Sequence, residues 1–516
     1  MRSHTARSRR LVAAAAGLTL AAGFVTGCAA TQADDDATSI RIGVYPSSLS
    51  GNYDPATAFI YALDTSAVYE SLFLRDPRTS EPEPNLAVSY EISEDRRSVT
   101  FELRDDVRFV GGTPMTAEAV AEFFTLLSRD EESGPYAIFT EHEATFAATG
   151  ETTLEVTASK AVDAPNGLFE WLGGTPIADP ASMADREAAA ASPQGTGPYL
   201  VEEFVPEVSA TLVRNPDYWD PNSALYPYDE VEILVFDDDV ARLNALKSGQ
   251  IDAAPLGLNL AGEADDAGLT AHLSAGGRFT ALWIADRAGA HVPALADQRV
   301  RQAIALAFDR ETINETLNYG FGIVTSQPGI ETSGVYVPDG DERYGYDPER
   351  ARELLAEAGY AGGFDITIPT TTFLGINEWA PVVQQSLADI GIRVSYEDFA
   401  DVSAYFGAAV SGDYPVILFR DDPGAGNVIR VFVGPDAVFN HPRYEDPVVA
   451  ELWETIRTGT SDEAVEAQAE LGAYTLDQAW LAVITNSKYL WMSQDGFPVN
   501  VDTSGFPQLL SFGRAE

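Results

Sequence analysis

Helix signals alternate with strand signals between Asp347 and Phe419, and this alternation constrains the fold more than any other feature of the sequence. Asp347-Pro348 opens a helix that Gly359 closes, with Leu354, Leu355 and Ala358 on its core face. A strand over 365–371 leads to a helix over 378–390, a strand over 392–397, a helix over 402–410 and an apolar strand over 415–419. Strands separated by helices fold into a layered sheet with helices on its faces, so an α/β architecture is predicted, not a barrel of hairpins. Earlier segments fit the same class. Residues 40–45 and 99–103 alternate as half-buried strands do. Thr116 is placed to cap a helix over 117–128, with Glu118 in its first turn and Val120, Phe123, Phe124 and Leu127 inward. Residues 299–304 read as the start of an amphipathic helix, with Val300 and Ile304 inward. Joints rich in Pro and Gly fall at 76–85, 191–198 and 320–340.

Composition narrows the function. A chain of 516 residues has room for two to four domains, and 45% hydrophobic residues can build sizeable cores. Its 79 acidic residues outnumber 32 basic ones, only three of them lysines (Lys160, Lys247 and Lys488), for a formal net charge of −47. Such a surface repels phosphate backbones and anionic headgroups, which argues against nucleic-acid binding and a polybasic membrane patch. A single cysteine, Cys28, excludes an intrachain disulfide framework, a four-cysteine zinc site and a CxxC redox motif. No GxSxG elbow, P-loop, SxxK or GxGxxG after a strand is present, so neither an enzyme nor a cofactor is expected. His142-Glu143 begins like a zincin motif, but Phe146 stands where its second histidine belongs. His142, His272, His291 and His441 show no ligand-like spacing.

Residues 1–27 carry Arg2, Arg7, Arg9 and Arg10, no acid, and then an apolar run that is short and rich in Ala and Gly. That is the layout of a signal peptide rather than a membrane span. Arg9-Arg10 after Ser8 matches the start of a twin-arginine signal while Val12 and Ala13 depart from it, so general and twin-arginine export are both compatible. Val25-Thr26-Gly27-Cys28-Ala29 resembles a bacterial lipobox, which implies a lipid on Cys28 and a polar tether over 28–39. Processing would remove only positive charge and take the formal net charge to −51.

Several stretches resemble, in order, the bacterial extracellular solute-binding proteins of family 5, the peptide/nickel-type receptors of ABC importers. They include Tyr53-Asp54-Pro55-Ala56-Thr57, Val68-Tyr69-Glu70-Ser71-Leu72 and Pro84-Asn85-Leu86-Ala87. Gly111-Gly112-Thr113-Pro114-Met115-Thr116, Gly195-Thr196-Gly197-Pro198-Tyr199 and Arg214-Asn215-Pro216-Asp217-Tyr218-Trp219 follow. Leu246-Lys247-Ser248-Gly249-Gln250-Ile251-Asp252, Arg299-Val300-Arg301-Gln302-Ala303 and Tyr346-Asp347-Pro348-Glu349 continue the series. The resemblance implies a two-lobed periplasmic-binding-protein (Venus-flytrap) fold with an extra inserted domain, three domains in all. Domain I would comprise 40–68, 194–275 and 485–516, the inserted domain II 69–193, and domain III 276–484. It also implies a monomer that traps a peptide or peptide-sized solute by lobe closure and delivers it to a membrane permease. The expected location is the outer face of the cell membrane, by a lipid anchor, or the periplasm. Gly195 and Gly197 are expected to permit a tight domain-crossing turn.

In peptide-binding members an aspartate after a Trp-containing strand end holds the ligand's ammonium group. On that resemblance Phe419 stands where the family has Trp, and Asp421 or Asp422 where it has the aspartate. Arg420 beside them, and Gly424-Ala425-Gly426 before Asn427, depart from the pattern. Arg420 and Asp421 could equally form an ordinary surface pair. The departure leaves room for a non-peptide solute such as an opine, an oligosaccharide or a metal chelate. A solute sensor and a secreted hydrolase are the readings from other classes. Further pocket candidates are Phe59, Tyr61, Trp283, and the loop 373–379 with Phe373, Asn377, Glu378 and Trp379, each equally at home in a core.

Overall fold

Eight apolar-rich strands build the sheet that organises the protein. In chain order they are β1 (Ser39–Val44), β2 (Tyr199–Val205), β3 (Ser209–Arg214), β4 (Glu230–Val235), β5 (Ala253–Leu256), β6 (Thr270–Ile284), β7 (Val416–Asp421) and β8 (Leu481–Ser493). The computed structural model describes residues 38–58, 62–75, 82–163, 167–329, 333–421, 428–435, 437–440, 443–501 and 508–513. The strands lie side by side in the order β7-β6-β8-β5-β1-β4-β3-β2. Only β1 makes parallel pairs, with β4 and β5, and the remaining neighbours are antiparallel. Ile40 and Ile42 of β1 stand opposite Val231 and Ile233 of β4, and all four are buried.

Two strands are much longer than the rest, 15 residues in β6 and 13 in β8. They run from one apolar core to another. Phe279, Ala281–Ile284 and Leu481–Ile484 belong to a core drawn entirely from residues 279–484. At the other end Trp491 joins a core built from residues 40–253 and the C-terminal segment, while Leu490 and Met492 pack with Leu243, Leu246 and Ile251. The β6–β8 ladder shifts register between Leu273 and Gly277 and again between Thr280 and Ala281. A Cβ on Gly277 would lie 2.2 Å from the Ser487 carbonyl oxygen, so only glycine lets the two backbones close up there.

The alternation predicted over 347–419 is present with shifted edges. Pro348–Glu357 is helical with Asp347 as its N-cap, and Gly359 has φ +91° after it. Strands Asp365–Thr370 and Arg393–Asp398 pair with each other in parallel, whereas β7 pairs with β6. The helix expected over 378–390 begins instead as a 3-10 helix, Phe373–Trp379, followed by an α-helix over Ala380–Asp389. Pro381 explains the break: it lacks an N–H and is tolerated only in an α-helix's first turn. Over 87–157 four antiparallel strands form a separate sheet with helix Ala117–Leu127 packed against it, within the predicted α/β class. Thr116 Oγ1 does cap that helix, accepting from Ala119 N at 3.2 Å. Thr116→Ala is expected to lower the unfolding free energy by about 1 kcal/mol, read as a reduced urea midpoint at unchanged slope.

Several motif stretches converge on one buried carboxylate. Glu70 Oε1 accepts from the Tyr218 hydroxyl at 2.9 Å, and Oε2 from the Trp219 indole N–H at 3.0 Å. Burial pushes the Glu70 carboxyl up to about 7, against the pull of these donors and of neighbouring Thr196 and Asn85. Gly195 and Gly197 are required by close approach rather than by a left-handed turn: a Cβ at Gly195 would lie 2.0 Å from the Val68 carbonyl oxygen, and one at Gly197 2.5 Å from that of Ala67.

Candidate functional site

All but one of the sequence-derived candidates that the structure describes gather around the C-terminal end of β7, which pairs with the middle of β6. Phe419 is buried, its ring 4.8 Å from Phe439, 5.7 Å from Phe432 and 6.1 Å from Phe406. Phe373, partly exposed, extends this aromatic chain by an edge contact with Phe406 at 5.8 Å. Trp379 is buried beside Arg420, whose guanidinium carbon stands 5.7 Å from the indole centre. Asn377 and Glu378 are exposed on the same turn. Asp421 ends β7 opposite Phe279 and is half-buried.

Trp283 is placed elsewhere. It is 0% exposed, donates its indole N–H to the Phe439 carbonyl at 3.0 Å and packs on Phe432 and the Arg287 guanidinium. That is the setting of a core side chain rather than a pocket wall. Phe59, Tyr61, Asp422, Asn427 and Cys28, with the signal peptide and most of the tether, lie outside the described residues.

Strand register sets Arg420, a sequence-derived candidate, in a polar face whose other members sequence reasoning missed. Thr280 of β6 stands opposite Arg420 of β7 on one side and Thr485 of β8 on the other, while Arg278 stands opposite Ser487. Residues directly opposite in an antiparallel ladder share a face, and so do residues two apart on one strand. Arg278, Thr280, Arg420, Thr485, Ser487 and Tyr489 therefore lie on one side of the three strands. Arg420 Nε donates to Thr280 Oγ1 at 3.1 Å, and the Arg278 guanidinium carbon is 5.6 Å from the Tyr489 ring centre. Beneath them buried Asn318 donates to Thr485 Oγ1 at 2.6 Å and accepts from Ser487 Oγ at 2.8 Å. Burial pulls the Arg420 guanidinium down to about 10, and the nearby Arg278 charge pulls the same way, against Tyr489 and Glu378. The available signal was Arg278 itself, a cation between Gly276-Gly277 and the apolar run Phe279–Ile284.

A second polar contact joins the regions carrying the two large cores, away from the sheet. Arg96 is 3% exposed in a turn with φ +57°. It donates to Asp163 Oδ1 at 2.6 Å, to the Ile456 carbonyl at 3.3 Å and to the Gly459 carbonyl. Asp163 Oδ2 in turn accepts from Ser461 Oγ at 3.1 Å. The guanidinium thus meets the carbonyl end of helix Pro447–Thr458, and the carboxylate meets the amide end of helix Ser461–Asp477. Each charge complements the end of the helix dipole that it faces.

Two histidines are each tied to separate neighbours: His142 Nδ1 bonds to the Ile138 carbonyl at 3.0 Å, and His272 Nε2 to Ser493 Oγ at 2.8 Å. Among the described residues, no cluster of His, Cys, Asp and Glu could hold a metal ion, and no helix is long and apolar enough to cross a membrane.

Known proteins share this architecture. The family described as bacterial extracellular solute-binding proteins, family 5 middle, matches residues 81–432. A putative ABC transporter peptide-binding protein of Brucella ovis is 27% identical over 365 residues, 68% of this chain and 67% of that one. The periplasmic binding protein DppA of Helicobacter pylori, associated with an ABC transporter and in complex with the peptide STSA, superposes with a TM-score of 0.71 at 21% identity, covering 92% of this chain and 97% of the other. The binding protein AgaA of A. tumefaciens R10, in complex with agropinic acid, gives a TM-score of 0.71 at 22% identity over 93% and 98%.

Proposed function

Because the chain belongs to the bacterial extracellular solute-binding proteins of family 5, whose profile spans more than half of it, we propose that it is the receptor that loads one ABC importer. The family consists of binding proteins, not enzymes. The chain captures a peptide or peptide-sized solute outside the cytoplasm and hands it to a membrane permease. The observation that carries this reading, beside the family match, is the pair of long strands β6 and β8 passing from one core to the other with a broken register between Leu273 and Gly277. Two strands with interrupted pairing are a compliant connection about which two bodies can close on a solute.

In this proposal the body comprises domain I (40–68, 194–275 and 485–516), an inserted domain II (69–193) and domain III (276–484). Export removes residues 1–27, a lipid on Cys28 anchors the protein outside the membrane, residues 28–39 form the tether, and the receptor works as a monomer. Phe59, Tyr61, Phe373, Asn377, Trp379, Phe419, Arg420, Asp421, Asp422 and Asn427 line or adjoin the solute. A non-peptide solute is the second reading, favoured by Arg420 beside the carboxylates and by the agropinic acid held by AgaA on the same fold.

Native mass spectrometry of the purified protein should reveal a retained small molecule, or one acquired from mixed tripeptides and tetrapeptides. Bound peptide raises the melting temperature by mass action. A protein that takes up no peptide, opine, sugar or chelate would count against the receptor reading.

A further inference from the structure

The contact around Arg96 joins the regions that carry the two large cores, and none of its residues belongs to the eight-stranded sheet. Arg96 and Asp163 stand on one side of this seam. Val99 and Val162 near them belong to the first core, and the Val162 N–H donates to the Arg96 carbonyl at 2.8 Å. Buried Ile456 and the ends of helices Pro447–Thr458 and Ser461–Asp477 stand on the other side. Arg96 Nε is committed to Asp163 within its own region, at 2.6 Å, which leaves both terminal nitrogens to cross the seam. One meets the Gly459 carbonyl and, at 3.4 Å, that of Thr460; the other meets the Ile456 carbonyl at 3.3 Å. Asp163 divides itself likewise, with Oδ1 on Arg96 and Oδ2 accepting from Ser461 Oγ at 3.1 Å. Charge is complementary beside it as well. Glu141 is held below the usual carboxylate range, first by Lys160, whose Nζ donates to it at 2.7 Å, and more weakly by Arg457 from across the seam.

Such a contact can part and re-form at small cost. When the regions separate, Arg96 keeps its carboxylate, so no buried charge is stranded, and water takes the place of the carbonyls. When they meet, the guanidinium is already aimed, because Asp163 holds its inner nitrogen and the turn holds its backbone. That turn is strained: Arg96 has φ +57°, a left-handed value that an arginine adopts only at a cost. The turn by itself favours glycine or asparagine, so the arginine there answers to its side-chain contacts. The interrupted pairing of β6 and β8 lets the regions pivot, and the seam lies off that pivot, where a few bonds act on the whole closing motion.

From this arrangement we infer that Arg96 and Asp163 form the latch of solute capture: they engage the ends of the two helices when the lobes shut, and so set how long a captured solute stays. The inference rests on the receptor reading above. The latch acts on the closed form alone, so it slows release and leaves the encounter of solute with the open form unchanged. A prop that merely supported the fold would change melting and not release.

The test compares wild type with Arg96→Gly, which removes the grip and relaxes the turn, with Arg96→Lys, and with Ser461→Ala, an exposed position that loses one bond across the seam. The probes are a pool of mixed tripeptides and tetrapeptides, and agropinic acid. Native mass spectrometry after dilution times their release, and small-angle X-ray scattering reads lobe separation with and without them. Release should quicken about 10- to 100-fold in Arg96→Gly and about 2- to 10-fold in Ser461→Ala, with association unchanged. Arg96→Gly should also have a larger radius of gyration, and Arg96→Lys should undo part of both effects. Release and radius equal to wild type in Arg96→Gly would overturn the latch and leave the receptor standing. Should that variant not fold, Ser461→Ala decides by its release rate: faster release supports the latch, and an unchanged rate refutes it. Failure of wild type to bind either probe would overturn both.

Discussion

Replacing Glu70 with alanine is expected to cost about 3 kcal/mol of folding stability, because it strands two donors that the fold buries together. Tyr218 OH and Trp219 Nε1 both end on this carboxylate, and Glu70 is 4% exposed. The truncation also leaves a cavity among side chains that cannot fully collapse. Glu70→Gln should behave quite differently, since it keeps the volume and one acceptor oxygen. Its effect depends on pH. The folded-state value of Glu70, about 7, lies above the ordinary 4.5 of a glutamate because burial disfavours the charged form. A carboxyl raised in this way favours the folded state fully below its unfolded value, and that contribution is lost as pH rises through about 7. Wild type should therefore lose about 3 kcal/mol relative to Glu70→Gln between roughly pH 4.5 and 7.5. Asp64, also raised by burial, titrates in both proteins and cancels in the comparison. Urea unfolding of the two proteins at pH 5 and pH 8 measures the difference, and parallel pH slopes would sink the assignment.

Arg96→Ala should produce the second large effect, and a local one. The side chain meets Asp163 and the carbonyls of Ile456 and Gly459 while almost wholly buried, so removing it leaves a half-buried carboxylate and a helix end without its cation. Breaking one side of such a pair costs roughly 3 kcal/mol. Since Arg96 and Ile456 belong to regions with different cores, the cost should appear as loosening between those regions rather than uniform destabilisation. Hydrogen exchange should accelerate about 100-fold in the last turn of helix Pro447–Thr458 and around residues 93–98. The strands around Glu70 should change little. Equal acceleration everywhere would mean that Arg96 supports the whole fold and not this junction. Arg96→Lys should recover only part of the protection, because an ammonium cannot span both the carboxylate and two carbonyls in one plane.

The two results would separate kinds of information that the sequence carries unequally. Tyr218-Trp219 and Glu70 are visible as pieces of a motif series, but nothing local says that the former donate to the latter across 148 and 149 residues. Gly195 and Gly197 are visible as a turn signal, yet their reason is the backbone of Ala67 and Val68 pressed against them. Thr116 and Asp347 are legible completely, as caps, because a cap and its helix lie within four residues of each other. The long strands β6 and β8 carry no such local signal. Gly276, Gly277 and a register shift interrupt the period in one, and the run from Leu481 to Ile484 is buried without alternation in the other.

The pocket candidates divide in the same way. Phe373, Trp379, Phe419 and Arg420 gather near one another, whereas Trp283, on an apolar strand, turns into the core where the Phe439 carbonyl meets its N–H. An aromatic residue in a sequence announces that it will be buried, not on which side of the sheet.

By itself the sequence determined the α/β class, the helix caps, the acidic exterior and, through the order of its motifs, the family. These rest on contacts a few residues apart or on sums over composition. Tertiary structure alone decided the charge partners: Thr280 and Arg420 meet across 140 residues, and Arg96 and Gly459 across 363. Register and packing bring such side chains together, and a change of one residue in strand register would carry Arg278 and Arg420 to opposite faces.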